Sequence, residues 1–225
     1  MVARLVEAPY ALEHPGRWLI ARFPEAWNML SWCVVNGGFQ RTKRAAWLYL
    51  QRNELLGTSD PVEWMRATMH ADGFADALGF MTSREPHRWV ESAASEADSN
   101  AWAVGTVGMS NALRAGDPPG LGKFGTMNML VAVDQALTTE GALEALTLIS
   151  EAKALAVLES GVPSIVSNKP ATGTGTDYLA LAWPSTGVPR PYAGKHTAIG
   201  AVVGRAAYLA FCDGVAQWKK EQGAE

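Results

Sequence analysis

Pro170–Pro184, PATGTGTDYLALAWP, followed after a proline-rich link by Tyr192–Gly204, YAGKHTAIGAVVG, packs the most chemically capable residues of the chain into the least conformational freedom. Ala171 to Thr176 form a small-residue loop whose backbone N–H groups can approach a ligand, with Gly173, Thr174, Gly175 and Thr176 at its centre. The loop ends on Asp177 and runs into an alternating apolar strand, Thr176 to Trp183. Gly194, Lys195, His196 and Thr197 stand directly before a long helical pattern. Lys195 and His196 are therefore expected near a helix N-terminus, where unpaired N–H groups attract negative charge.

Working outward, the last helix is expected over Thr197 to Lys219, and its Gly200, Ala201, Gly204, Ala206, Ala207 and Ala210 form a small-residue surface that admits close packing. The tail from Lys219 to Glu225 is polar and expected to fray. Upstream, Thr138 to Ser160 reads as a helix capped by Thr138 or Thr139 and stopped at Gly161-Val162-Pro163. On its wheel Glu140, Glu144 and Glu151 share one stripe, by default a solvated face with Glu151 as a possible site acid. Lys153 falls on nearly the opposite side, between Leu146 and Ile149, where it either snorkels or finds an acid such as Asp177. Ser164 to Ser167 reads as a short strand and Gly125 to Asp134, with Thr126 and Asn128, as a clear one. Leu78 to Thr82, Arg88 to Ser95 and Ala101 to Val107 are further short strands. The segment from Gly105 to Asn111 curls into a Gly-rich turn in which Asn111 either orients a ligand amide or caps the turn, and Pro118-Pro119-Gly120 marks a surface loop.

In the first third, Val2 to Glu7, Trp18 to Phe23 and Asn28 to Val35 read as strands, the last ending at the turn Asn36-Gly37-Gly38. Helical patterns appear over Arg41 to Gln51 and from Ser59-Asp60-Pro61 through Ala77, the latter with Trp64, Thr68, Ala71 and Ala75 on its apolar face and His70 at the surface or packed. Together these segments predict an α+β fold: mainly antiparallel or mixed β-sheet covered by three or more helices, in the form of a layered α/β sandwich if the strands divide into two sheets.

With 225 residues and 48% hydrophobic content the chain supports one sizeable core, so residues 1–225 are read as one domain. A net charge of -3 lacks the basic field that nucleic acid or an anionic membrane would require. No stretch of about 18 uncharged apolar residues is seen that would predict a membrane span. Cys33 and Cys212 lie far apart, and the charged N-terminus lacks a secretory core, so free thiols and a cytoplasmic location are expected. Four histidines and two separated cysteines make a dedicated metal cage unexpected, although Asp177 and His196 could share an ion. Walker A, H-E-x-x-H, C-x-x-C and G-x-S-x-G patterns are missing, which weighs against a nucleotide-binding reading of the Gly/Thr loop.

ATGTGTD (Ala171 to Asp177) and YAGKHTAIGAVVGRA (Tyr192 to Ala206), preceded by EAKALAVLESGVPS (Glu151 to Ser164), resemble the adenosylcobinamide amidohydrolase family. The likeness extends in matching order through VVNGGF (Val34 to Phe39), GFMTS (Gly79 to Ser83), VGTVGMSNALRAG (Val104 to Gly116) and GTMNMLVAVDQALT (Gly125 to Thr138). GTMNM stands where the family looks closer to G-T-I-N-I, Arg84 follows GFMTS where small residues are usual, and the link from Pro184 to Pro191 has its own length. The resemblance implies hydrolysis of the amide joining aminopropanol to the corrin ring of adenosylcobinamide, giving adenosylcobyric acid for cobamide (vitamin B12) salvage. The corrinoid is then the substrate, and no cofactor is assigned. A non-catalytic corrinoid-binding or carrier protein is the alternative.

Amide hydrolysis needs an activated nucleophile, oxyanion stabilisation and a proton for the amine. On side-chain chemistry, Asp177 is expected as general base or as the group orienting His196, with His196 carrying the proton unless it only packs. N–H groups of Gly173 to Gly175 or of the Gly194 to Thr197 helix start, helped by Lys195, would hold the oxyanion, with Thr176, Asn36, Asn111, Thr126 and Asn128 as further oxyanion or substrate contacts. Glu151 and Lys153 remain possible members. A second mechanism has Thr126 or Thr174 attack the amide directly.

Overall fold

The computed structural model describes residues 7–51, 53–119 and 125–223. Its strands are β1 (Ala11–Glu13), β2 (Trp18–Ser31), β3 (Gly38–Tyr49), β4 (Leu78–Thr82), β5 (Val90–Glu96), β6 (Ser99–Val107), β7 (Ala112–Leu113), β8 (Met127–Val133), β9 (Gly173–Thr174) and β10 (Tyr178–Trp183). The helices are α1 (Pro61–Ala71), α2 (Thr139–Ser160) and α3 (Ala198–Glu221). The fold is α+β, as expected. An eight-stranded mixed sheet runs β4-β3-β2-β10-β8-β6-β5, with β1 on β2 and a small β7-β9 ribbon beside it. Its pairs are antiparallel except β3 with β4 and β8 with β10.

The sheet folds back on itself at β2, whose register against β3 breaks between Arg22 and Trp27. The inner faces of its two halves meet in a core of Leu19, Phe23, Met29, Trp47, Phe80, Trp102, Val104 and Leu130, with the Trp47 and Phe80 rings stacked at 4.9 Å. Period-two alternation sends the other side chains outward. Met129, Val131, Leu179 and Leu181 face α2 and α3, whereas Ile20, Ala46 and Leu48 face Met65 and Met69 of α1. The layers are helix, sheet, sheet, helix. Gly105 allows the closest strand approach, since a Cβ there would run into the Asn128 carbonyl.

The helix ends follow their sequence signals. Asp60 accepts from Val62 N at 2.9 Å and Glu63 N at 3.0 Å ahead of Pro61; Thr138 accepts from Gly141 N; Gly161 closes α2 with φ 71°; and Thr197 accepts from Gly200 N at 2.9 Å. Such N-caps are worth about 1 kcal/mol each. By composition α3 is long and apolar enough to cross a bilayer, but 56% of its most apolar window is buried, as in a core helix.

Several expectations are corrected. Arg41 to Gln51 is strand β3 rather than a helix, held between β2 and β4. Trp18 to Phe23 and Asn28 to Val35 belong to one strand, which continues through Pro24 and stops at Ser31. Helix α1 ends at Ala71, before Gly73 at φ +81°, and buries Met65 and Met69; Ala71 and Ala75 are exposed. Ser164 to Ser167 is a turn, closed by Asn168 N donating to Ser164 O and by the Ser164 hydroxyl accepting from Val166 N. Helix α3 runs two residues past Lys219. The expected strand Val2 to Glu7 and Gly120 lie wholly or partly outside the described residues.

Candidate active site

At one end of the sandwich the apolar inner layer gives way to hydroxyls and amides. Thr106 of β6 donates to Thr82 of β4 at 2.9 Å, and Asn128 of β8 donates to Met81 O at 2.6 Å. All three side chains are buried. β6 and β8 pair directly, with Thr106 opposite Asn128, whereas β4 lies in the other half of the sheet and meets them only through the fold-back. A buried amide or hydroxyl is tolerated only when paired, so this chain of bonds also fixes the spacing of the two sheet halves.

The polar layer opens on a cleft of about 520 Å³. Its wall includes Thr82 at the end of β4 and Ser83 after it, Asn111 after β6, Gly125 and Thr126 before β8, and Thr176 and Tyr178 at the start of β10, together with Tyr49 and Leu50 at the end of β3, beside Thr82, and Glu54 and Leu55 beyond them. Thr126 Oγ1 donates to Thr176 O and lies 3.1 Å from Asn128 Oδ1, which ties the two expected motifs to each other. Burial pushes the Tyr178 phenol above its ordinary value, so it stays a hydrogen-bond donor at neutral pH. Glu54 has one partner on each oxygen, Arg17 and Gln51 N, and its side chain is 20% exposed.

Behind the Thr176 wall lies a buried charge pair. Lys153 Nζ meets Asp177 Oδ2 at 2.6 Å, with side chains only 14% and 7% exposed. Thr174 adds its N–H to both Asp177 oxygens, at 3.2 and 3.0 Å, and its hydroxyl to Oδ1 at 2.5 Å. Lys153 thus finds its acid instead of snorkelling. Gly173 is required there, because a Cβ would collide with Asp177 Oδ2 and approach Lys153 Nζ to 2.8 Å. The bonds close the Gly173–Asp177 loop on itself and hold it as a rigid wall.

The remaining expected residues sit elsewhere. Asn36, at φ 60°, spends its amide on Ala75 O at 2.9 Å and Ala77 O at 2.8 Å, fastening the β2–β3 turn to the segment before β4. Lys195 pairs with Glu151 across the exposed face between α2 and the start of α3. His196 is exposed beside that helix start. Neither Lys195 nor His196 lines the cleft. Glu144, expected as solvated, accepts from Ala193 N at 2.8 Å and anchors the entry to α3. Among the described residues no three His, Cys, Asp or Glu side chains gather as metal ligands.

A second groove, about 710 Å³ and mostly apolar, lies on the outer side of the sheet between Leu30, Trp32, Leu143 and Leu146. Trp32 Nε1 donates to Asp177 O at 2.8 Å, so the Gly/Thr loop is bordered by the groove on one side and by the cleft on the other. Ser31, Thr147, Ser150 and Glu151 also line it, and Glu151 is there engaged by Lys195.

Sequence reasoning did not single out Tyr178, Ser83 or Glu54. Tyr178 directly follows Asp177, and Ser83 closes the GFMTS motif, so both carried a signal by adjacency. Glu54 lies between the two expected helical patterns, in a segment given no assignment, and carried none.

A family model described as adenosylcobinamide amidohydrolase matches residues 7–223 of the chain. No curated protein matches it.

Proposed function

Because the chain belongs to the adenosylcobinamide amidohydrolase family over nearly its whole length, we propose that it hydrolyses the aminopropanol amide of adenosylcobinamide, releasing adenosylcobyric acid for cobamide salvage. The observation that carries this reading is convergence. Segments around Ser83, Asn111, Thr126 and Thr176, far apart in sequence, meet in one cleft lined with hydroxyls and an amide. A corrin ring with its fringe of amides is larger than this cleft, so only the edge bearing the aminopropanol arm enters; the ring rests on the rim near Tyr49, Leu50 and Leu55.

In this proposal a water attacks the amide carbonyl carbon. Glu54, the one carboxylate among the described cleft-lining residues, takes the water's proton and returns it to the departing amine. The Tyr178 phenol and the Ser83 hydroxyl donate to the oxyanion as it forms. Asp177 is reassigned from base to positioning residue, since it stands behind the Thr176 wall and does not line the cleft, where Lys153 and Thr174 hold it in the loop. Lys195 and His196 are reassigned to the helix start, where Lys195 holds Glu151.

The test compares turnover and unfolding of Glu54→Gln, Asp177→Asn and His196→Ala. Glu54→Gln is expected to lose about 100-fold or more in kcat with a stability loss of only about 1 kcal/mol from the partly exposed Arg17 pair, Asp177→Asn to lose stability and turnover together, and His196→Ala to stay near normal. A Glu54→Gln enzyme with wild-type kcat, or a His196→Ala enzyme that is folded and dead, would return the proton chemistry to the helix start.

A further inference from the structure

Asn111 is only 4% exposed and lines the cleft, yet its side-chain oxygen is buried with no hydrogen-bond partner. The other buried side-chain atoms without partners among the described residues, Trp47 Nε1, Arg84 Nε and Ser167 Oγ, belong to residues outside the cleft wall. Two glycines fix where the Asn111 side chain stands. A Cβ on Gly175 would come within 2.6 Å of Asn111 Nδ2, and one on Gly125 within 2.7 Å of Asn111 N. Gly175 N also donates to Asn111 O at 3.2 Å. The backbone is thereby pinned, the NH2 end of the side chain is set against Gly175, and the carbonyl end is left with an acceptor unused. A buried acceptor without a donor carries its desolvation cost until a ligand supplies one.

We propose that Asn111 Oδ1 accepts the N–H of the scissile amide and that this bond lets the cleft distinguish the amide substrate from its acid product. The inference rests on the amidohydrolase reading and deepens it. Substrate and product share the ring and its peripheral amides. They differ at the reacting position, where the substrate offers a secondary amide N–H and the product a carboxylate, which offers no proton at neutral pH and is repelled by the Asn111 carbonyl. The same bond holds the amide in one orientation before water attacks and weakens the hold on the product afterwards.

The test uses adenosylcobinamide and an analogue in which an ester oxygen replaces that single N–H. Dissociation constants are read from the concentration dependence of single-turnover hydrolysis. Wild-type protein is expected to bind the amide roughly tenfold more tightly than the ester, the size of one hydrogen bond to an otherwise unpaired buried acceptor. Asn111→Leu is expected to bring the ratio to about one, and Asn111→Asp, which keeps an oxygen in place, to preserve the preference. A wild-type ratio of one overturns the proposal without reference to any variant, as does a ratio that survives Asn111→Leu. Normal amide hydrolysis with a flat ratio removes this inference alone; a wild-type protein that hydrolyses neither compound removes the amidohydrolase reading and this inference with it.

Discussion

Replacing Lys153 with methionine removes one member of a charge pair while keeping the length and apolar stem of the side chain. With Asp177 7% and Lys153 14% exposed, the loss leaves a carboxylate in a buried position served only by the N–H and hydroxyl of Thr174. Removing one partner of a buried pair typically costs 3–5 kcal/mol, roughly. The two Thr174 donors and the slight exposure of Lys153 place this case at the lower end, about 3 kcal/mol. At roughly 2–4 °C per kcal/mol for a chain of this size, the midpoint of thermal unfolding should fall by about 6–12 °C. Urea titration gives the free energy directly. The double variant Lys153→Met/Asp177→Asn, which removes the second charge as well, should recover about half of the loss, because the uncompensated charge is the expensive part. Turnover should fall with the single change, since the loop carrying Thr176 into the cleft is no longer held. A Lys153→Met protein within about 0.5 kcal/mol of wild type, with unchanged turnover, would refute the reasoning, because a pair so placed cannot be removed at the cost of a surface substitution.

Gly175→Ala sets a Cβ against Asn111 Nδ2. The Asn111 amide can swing away, so stability should drop by no more than about 1 kcal/mol while KM rises severalfold, read by steady-state kinetics beside urea unfolding. Asn36→Ala deletes two bonds to backbone carbonyls and leaves alanine at φ 60°; a loss of about 2 kcal/mol is expected, with kcat/KM per folded molecule unchanged, since Asn36 lies outside the cleft wall. Burial pushes the Tyr10 phenol far above its ordinary value. The unfolded chain therefore gives up that proton first as pH rises past about 10, the folded state binds more protons than the unfolded one, and stability falls with pH above that point. Tyr10→Phe should flatten this alkaline decline, measured as urea midpoints between neutral pH and pH about 11.

The two long helices and their boundaries were legible because Thr138, Gly161 and Thr197 act within one turn of chain, through bonds to their own neighbours. Strands β4, β6 and β8 were legible for the same local reason, as short apolar runs between turns. Strand β3 was not. Arg41 to Gln51 is rich in good helix formers, and its strand state comes from β2 on one side and β4 on the other, a tertiary choice that overrides local propensity. Pro24 in β2 misled in the opposite direction: it reads as a break, yet it lies where the β2–β3 register shifts, the kind of place in a sheet that accepts a proline.

The candidate site divides in the same way. The Lys153–Asp177 pair could be anticipated because an apolar helix face left the lysine in want of an acid. The cleft could not, since Thr82 of β4 meets Thr106 and Asn128 of the paired strands β6 and β8 only through the fold-back of the sheet. Lys195 and His196 attracted the catalytic reading by standing at a helix start. Position at a helix N-terminus makes a residue able to meet an anion, but it does not bring that residue to the cleft, and here Lys195 spends its charge on Glu151.

The most direct test of the central claim is to incubate the purified protein with adenosylcobinamide in heavy-oxygen water, with and without added divalent metal, and follow the products by mass spectrometry. The account predicts adenosylcobyric acid and free aminopropanol in equal amounts, with one heavy oxygen in the new carboxyl group. Adenosylcobinamide that is bound by the protein yet recovered intact under both conditions would contradict it and identify the chain as a corrinoid carrier.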